Sequence, residues 1–432
     1  MRLARVGPLA RHLACVTLFL SLGSEAAATP PAPAPLDAAL QKLGARVAPI
    51  EDPSGQALAT FYTALRAVDA QAGVARVLHY GDSAIVVDTI TGAMRRRLQA
   101  RFGDGGHGFV AVGRPWKWYR HLDVRHGCNE VWTLRRVTKP KGTDGRFGVG
   151  GISAHTTLAG ADAWFATATK GPVGGRVSRF DILYLRQPRG GALKLELDGK
   201  PLAPLVTAGP RVESAVHTVR TTDGAHKLSL ETAGGGEVRL FGVALERDRG
   251  LVYDSLGING ARVKNLLNFE PHHLQEQYRV RQPHLVIINF GTNETDDTRS
   301  PGDAYRRGLQ AVLARIRQAG GGASCLVMSL PDRANKRGTD GAEGSMVSVP
   351  RLVRLQREAA AASGCAFWST FDAMGGVGSM RRWAAARLGA GDATHLTTKG
   401  ADLIADLFVR ALLADYQAFQ RRAAVPGPRR GP

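Results

Sequence analysis

Val74–Ser83 reads VARVLHYGDS, and its interpretation decides the fold. The first seven residues form a short apolar run bounded by turn residues, as expected of a strand covered on both faces. The run ends at Gly81-Asp82-Ser83. Beyond it Ile90, Met94 and Leu98 recur every four residues, the stripe of a helix. Arg95, Arg96 and Arg97 fall in that helix and read as a solvated face. The same strand-to-helix rhythm returns near Gly250. Pro283–Phe290 (PHLVIINF) is a second continuous apolar run. A helix follows with Ser300 as N-cap, Pro301 in its first turn and Asp303 three after the cap. Strands are expected at 323–330 and 366–371, and helices at 57–70, 351–363 and 401–413. Such alternation means α/β, a parallel sheet with helices on both faces.

Between these two α/β stretches the texture changes. FDILYLRQ (180–187), ALKLELDGK (192–200), HKLSLETAGGG (226–236) and EVRLFGVALE (237–246) are strand-like runs split by turn residues. They predict an all-β sandwich inserted into a loop of the α/β domain. At the N-terminus, Arg2, Arg5 and Arg11 precede an apolar run from Leu13 to Leu22 and then Ala26-Ala27-Ala28, the layout of a signal peptide. The expected organisation is a signal peptide (1–28), a Pro/Ala linker (29–36), a first α/β segment (37–113), the β insert (114–249), a second α/β segment (250–416) and a basic disordered tail (417–432). No other stretch is long and apolar enough to span a membrane, so no span is expected after signal cleavage.

The chain is strongly basic: 57 Lys and Arg against 37 Asp and Glu, net +20 and pI about 10.4. That charge suits polyanionic surroundings. An export signal directs the expectation away from nucleic acid and towards a periplasmic or extracellular glycan. With four cysteines the chain is no disulfide scaffold. Cys325 and Cys365 each open an apolar run, which leaves a bridge and two buried thiols both open.

Four segments carry chemistry. They are His79-Tyr80-Gly81-Asp82-Ser83, Gly257-Ile258-Asn259-Gly260-Ala261, Asn289-Phe290-Gly291-Thr292-Asn293-Glu294 and Asp392-Ala393-Thr394-His395. Ligands of open α/β sheets bind beyond the carboxyl ends of strands, where the first three segments lie. Acyl transfer needs a hydroxyl nucleophile, a base within hydrogen-bond reach, a carboxylate that orients the base, and donors for the oxyanion. Ser83, His395, Asp392, the Gly260 N–H and the Asn293 amide supply that set.

These four blocks resemble the SGNH/GDSL hydrolase superfamily, over about 74–113 and 250–413. The resemblance implies a three-layer α/β/α flavodoxin-like sandwich that uses no metal and no organic cofactor. It implies Ser83 as nucleophile, His395 as base and then acid, and Asp392 as its orienter. Ser83 N–H, Gly260 N–H and the Asn293 amide would form the oxyanion hole, with Gly257 the rival to Gly260. Glu294 stands where the family often has Asp. HYGDS, FGDGGHGF and YDSLGINGA look like the exported bacterial subgroup with a β insert resembling a carbohydrate-binding module, whose best-known members are peptidoglycan O-acetylesterases. The expected partner is thus an acetylated polysaccharide. Acetyl transfer to a sugar at the same site and non-catalytic glycan binding are the alternatives.

Other signals are set aside. Gly103–Gly108 spells G-x-G-x-x-G but follows a helix rather than a strand, and reads as a glycine-rich loop near the active site. Glu270, His272 and His273 read as solvent-facing rather than metal-binding. Trp116, Trp118 and Tyr119 read as packing at the domain junction, with sugar stacking the other use.

Overall fold

The computed structural model describes residues 38–297, 302–335 and 344–424. The signal segment (1–28), the linker (29–36), Ser300, Pro301 and the tail beyond 424 lie outside them. Five strands form one wholly parallel sheet: Val74–Gly81, Gly250–Gly257, Leu285–Asn289, Ser324–Met328 and Ala366–Trp368. Numbered along the chain their order is 2-1-3-4-5, the flavodoxin-like order. Successive residues of a strand face opposite sides. Accordingly Leu285 and Ile287 join the core under helices 59–69, 89–102 and 398–424. Val286 and Ile288 join the core under helices 271–281, 303–320 and 348–362. The three layers follow from this division.

The insert forms two antiparallel sheets of six strands each. Their facing sides share a core that includes Phe165, Phe180, Leu228 and Leu240. The strand Gly108–Val110 already pairs with 238–246, so the β layers begin before residue 114. Phe109, Leu183 and Phe241 also join the core beneath one face of the parallel sheet. The described residues accordingly form one compact unit.

A buried ionic cluster joins the layers. Glu246, at the end of the last sandwich strand, is fully buried and meets Arg76, Arg179 and Arg281, the last at 2.7 Å. Arg281 also holds Asp254 at 2.8 Å, and Asp254 accepts the Phe109 N–H. Burial works against the charge of Glu246, but the three guanidiniums overcome it and hold its carboxyl at about 2.

Several expectations change. Arg95 is not solvent-facing but fully buried, ion-paired to Asp88 at 2.7 Å and Asp123 at 3.3 Å. The glycine-rich loop 103–108 does not approach Ser83. It runs along the outer edge of strand 250–257, with Asp104 beside Leu251 at the start of the strand. A Cβ on Gly105 would lie 2.8 Å from the Leu251 backbone, so glycine there permits close packing. His273 is buried and bonded to Phe147 O and Ser214, while Glu270 caps the helix at Pro271–Arg281. The helix that follows the third strand begins at Asp303. The final helix runs Thr398–Ala424, beyond the expected end at 413 and into the segment expected as tail. Cys325 and Cys365 are bridged, and Cys128 is a half-buried free thiol.

This packing makes two measurable demands. Arg281→Leu strips buried Asp254 of its cation and takes one of three from Glu246, and urea unfolding should show a loss of about 3–5 kcal/mol. An unchanged midpoint would mean that the cluster is replaceable. Burial depresses His79 and His121 to about 3 and His273 to about 4. In the unfolded chain these rings titrate near 6.5. The folded state therefore binds fewer protons, and the stability from these neutral rings, complete above 6.5, is lost as pH falls through that value towards 3. Urea midpoints should fall from pH 7 to pH 5, before most carboxylates titrate. A flat profile would contradict the assignment.

Candidate active site

Strand 74–81 ends where three other loops converge. A Cβ on Gly81 would lie 2.8 Å from Asn289 O, so a side chain there would push the first and third blocks apart. Asp82 is buried and accepts the Ala84 N–H at 3.0 Å and the Thr292 N–H at 3.1 Å. Its carboxylate thereby fixes the Ser83 turn against the Gly291–Glu294 turn. Burial raises its pKa, partly countered by these hydrogen bonds. The sequence did not single out this role.

Ser83 sits at the tip of the turn. Its Oγ lies 2.9 Å from His395 Nε2, and His395 Nδ1 lies 2.6 Å from Asp392 Oδ2. An ionised Asp392 can only accept, so Nδ1 carries the proton and the Nε2 lone pair faces the Ser83 hydroxyl. Asp392 Oδ1 accepts the backbone N–H of Thr394 and of His395, at 3.0 and 2.9 Å. Burial opposes ionisation of Asp392, but these hydrogen bonds outweigh it and hold the carboxyl at about 2. Ala393 has φ +55°, unusual for a side-chain-bearing residue. That kink lets a carboxylate and an imidazole three residues apart meet in a tight loop. The His395 and Asp392 side chains are 41% and 36% exposed, so the pair opens to solvent.

The second and third blocks close the other side. Gly257 is wedged against the turn after Ser83: a Cβ there would lie 2.6 Å from Val86 Cα. Gly260 instead is exposed, with φ +67° and open space around its Cα. Gly257 thus packs against the Ser83 turn, while Gly260 leaves its backbone open. Ile258 N–H donates to Gly81 O at 2.8 Å, and Asn293 Nδ2 donates to Ala261 O at 2.9 Å, leaving its second amide hydrogen. Among the described residues the N–H groups of Ser83 and Gly260 have no acceptor. Glu294 reaches back to accept the Val263 N–H at 2.8 Å, and burial pushes its carboxyl up to about 7. Glu in place of Asp therefore ties the second block to the third.

One further residue escaped the sequence reading. Arg333 donates to Thr292 O at 3.1 Å and to the Thr295 hydroxyl, pairs with Asp296 at 3.0 Å, and donates from Nε to Thr394 Oγ1 at 3.2 Å. It spans the Asn293 turn and the His395 loop. No local pattern marks it, because its partners are about 40 and 60 residues away.

Asp88, His107 and His121 bring three potential metal-ligand atoms within 4.8 Å of one another. The set does not fit a cation. Asp88 is already engaged by Arg95, Thr91 and the Leu122 N–H, and a buried guanidinium adjoins it. His107 and His121 instead form a hydrogen-bonded chain ending on the Tyr119 hydroxyl.

Residues 213–403 match the GDSL-like lipase/acylhydrolase family. That span contains Gly260, Asn293, Asp392 and His395. Ser83 precedes it because the β insert separates the first block from the rest. No curated protein matches the chain by sequence. A solved structure of a peptidoglycan O-acetylesterase is 23% identical, with TM-score 0.71 over 85% of this chain and 99% of its own. Family two carbohydrate esterases from Clostridium thermocellum and Cellvibrio japonicus are 12% and 10% identical. Each covers 68% of this chain, with 100% and 99% of their own and TM-scores of 0.29. The family match marks a GDSL-like lipase/acylhydrolase domain within residues 213–403, and the chain as a whole shares its fold with the solved O-acetylesterase structure.

Proposed function

We propose that the protein is a serine esterase that removes O-acetyl groups from an exported or cell-wall polysaccharide of the peptidoglycan type. The observation that carries the reading is the unbroken chain Ser83–His395–Asp392 beside backbone N–H groups that have no other acceptor among the described residues. Ser83 Oγ attacks the acetyl carbonyl and its proton passes to His395 Nε2. Asp392 stabilises the imidazolium without taking the proton. The oxyanion is held by the N–H groups of Ser83 and Gly260 and by the free amide hydrogen of Asn293. Collapse expels the sugar oxygen, which His395 protonates. Water then attacks the acetyl-serine with His395 as base, and acetate leaves.

Two observations support this substrate class. One neighbour of like fold over nearly its whole length is a peptidoglycan O-acetylesterase. Residues 1–28 have the layout of an export signal, and the Cys325–Cys365 bridge fits an oxidising compartment outside the cytoplasm. Among the described residues no helix is long and apolar enough to cross a membrane.

Hydrolysis of p-nitrophenyl acetate should fall at least about a thousandfold in Ser83→Ala, with thermal unfolding unchanged. Asp392→Asn should retain more activity than His395→Ala, since it removes only the orienter. Acetate should be released from O-acetylated peptidoglycan by the wild type alone. Retained turnover in Ser83→Ala would overturn the assignment.

Arg333 is a positioning residue in this scheme. Arg333→Ala should lower kcat about tenfold, equivalent to ~1.4 kcal/mol in the barrier, with KM little changed. Added guanidinium should restore a share of the loss. A change in KM alone, without rescue, would place Arg333 outside this role.

A further inference from the structure

Of the three aromatic residues at the domain junction, two are committed to packing. Trp116 is buried against Val86, three residues after Ser83, and against Ile152. Tyr119 lies edge-on to Trp116 at 5.5 Å, accepts the Ala111 N–H and bonds His121. The Tyr119 N–H closes a turn on Trp116 O at 3.0 Å. Trp118, inside that turn, is 52% exposed, one of few large apolar side chains so placed among the described residues. Its exposure is not a failure of packing, because the residues on either side anchor the turn.

The same turn carries Arg114, Lys117 and Arg120, all exposed. Among the described residues none of the three is ion-paired or hydrogen-bonded through its side chain. Elsewhere arginines of this chain are commonly paired, as Arg97 is with Asp402 and Arg101 with Asp69. Three cations without a side-chain partner and one exposed indole, all within Arg114–Arg120 on a turn whose Trp116 packs on Val86, form a surface of defined chemistry. An indole face packs on the apolar face of a sugar ring. Unpaired cations attract carboxylates and steer polyanions.

We propose that the Arg114–Arg120 turn is the subsite that binds the glycan chain flanking the scissile acetyl group, and that it selects chains bearing free carboxylates on their sugars. This rests on the esterase reading for its place beside Ser83, but binding itself does not require turnover.

The test begins with binding. Polygalacturonate without acetyl groups, and the same polymer with its carboxyls methyl-esterified, are titrated against the wild-type protein by calorimetry. The free-acid polymer should bind at least about fivefold more tightly, and the difference should shrink from about 50 mM to about 500 mM salt. The Arg114→Gln/Lys117→Gln/Arg120→Gln variant should lose that difference. Trp118→Ala should weaken both polymers by about tenfold. These side chains are exposed, so thermal midpoints should match the wild type, which separates lost binding from lost folding. Equal binding of both polymers, binding of neither, or a triple variant that keeps the preference would overturn the proposal. Wild-type turnover of p-nitrophenyl acetate is measured in parallel. If it is absent while the polymer preference holds, the esterase reading fails and the subsite stands. If turnover is present and the preference is absent, the subsite fails alone.

Discussion

The structure depends on a buried carboxylate shared among three arginines. Glu246 closes the last sandwich strand, Arg76 lies on the first parallel strand, and Arg281 ends the helix that follows the second. Asp254, on the second parallel strand, shares Arg281. More than 160 residues separate the first two parallel strands, yet they pair in register from Val74 with Gly250 to Gly81 with Gly257. The ionic cluster fixes where the inserted sandwich hands the chain back. A buried cluster of this kind adds little net stability over an apolar one, because desolvation is costly. Its effect is on register: a wrong return would bury charges without partners.

Register is what the site requires. Gly257 leaves its strand against Val86, and Gly81 passes the Asn289 carbonyl with no room for a side chain. Asp82 then locks the Ser83 turn to Thr292, Glu294 locks the third block to Val263, and Arg333 reaches from the third block to the His395 loop. The reactive groups come from points 312 residues apart, yet Ser83 and His395 meet at 2.9 Å. In the His395 loop the backbone takes the left-handed conformation at Ala393, φ +55°.

Four of the five parallel strands and the four blocks were legible in the sequence because both are local signals; strand Gly250–Gly257 was not singled out. Continuous apolar runs mark strands covered on two faces, and Gly-Asp-Ser or Asp-x-x-His needs only short spacing. What was not legible depends on distant partners. Three successive arginines look like a solvated face until Asp88 and Asp123 bury Arg95. GDGGHG follows a helix, but only the fold shows that it lines a sheet edge at the end opposite Ser83. Composition treats Trp116, Trp118 and Tyr119 alike, while packing on Val86 and Ala111 separates two of them from the third. Arg333 has no local signature, since its value lies in the two loops it joins.

The central claim is covalent: the acetyl group passes through Ser83. The most direct test is to mix the protein with an activated acetyl ester, quench within the first turnover and map the modified peptide by mass spectrometry. The account predicts one acetyl group on Ser83, accumulating in His395→Ala if deacylation slows more than acylation, and absent after the wild type has exhausted the ester. Turnover with no acetyl on Ser83, or acetyl stably placed on another residue, would contradict it.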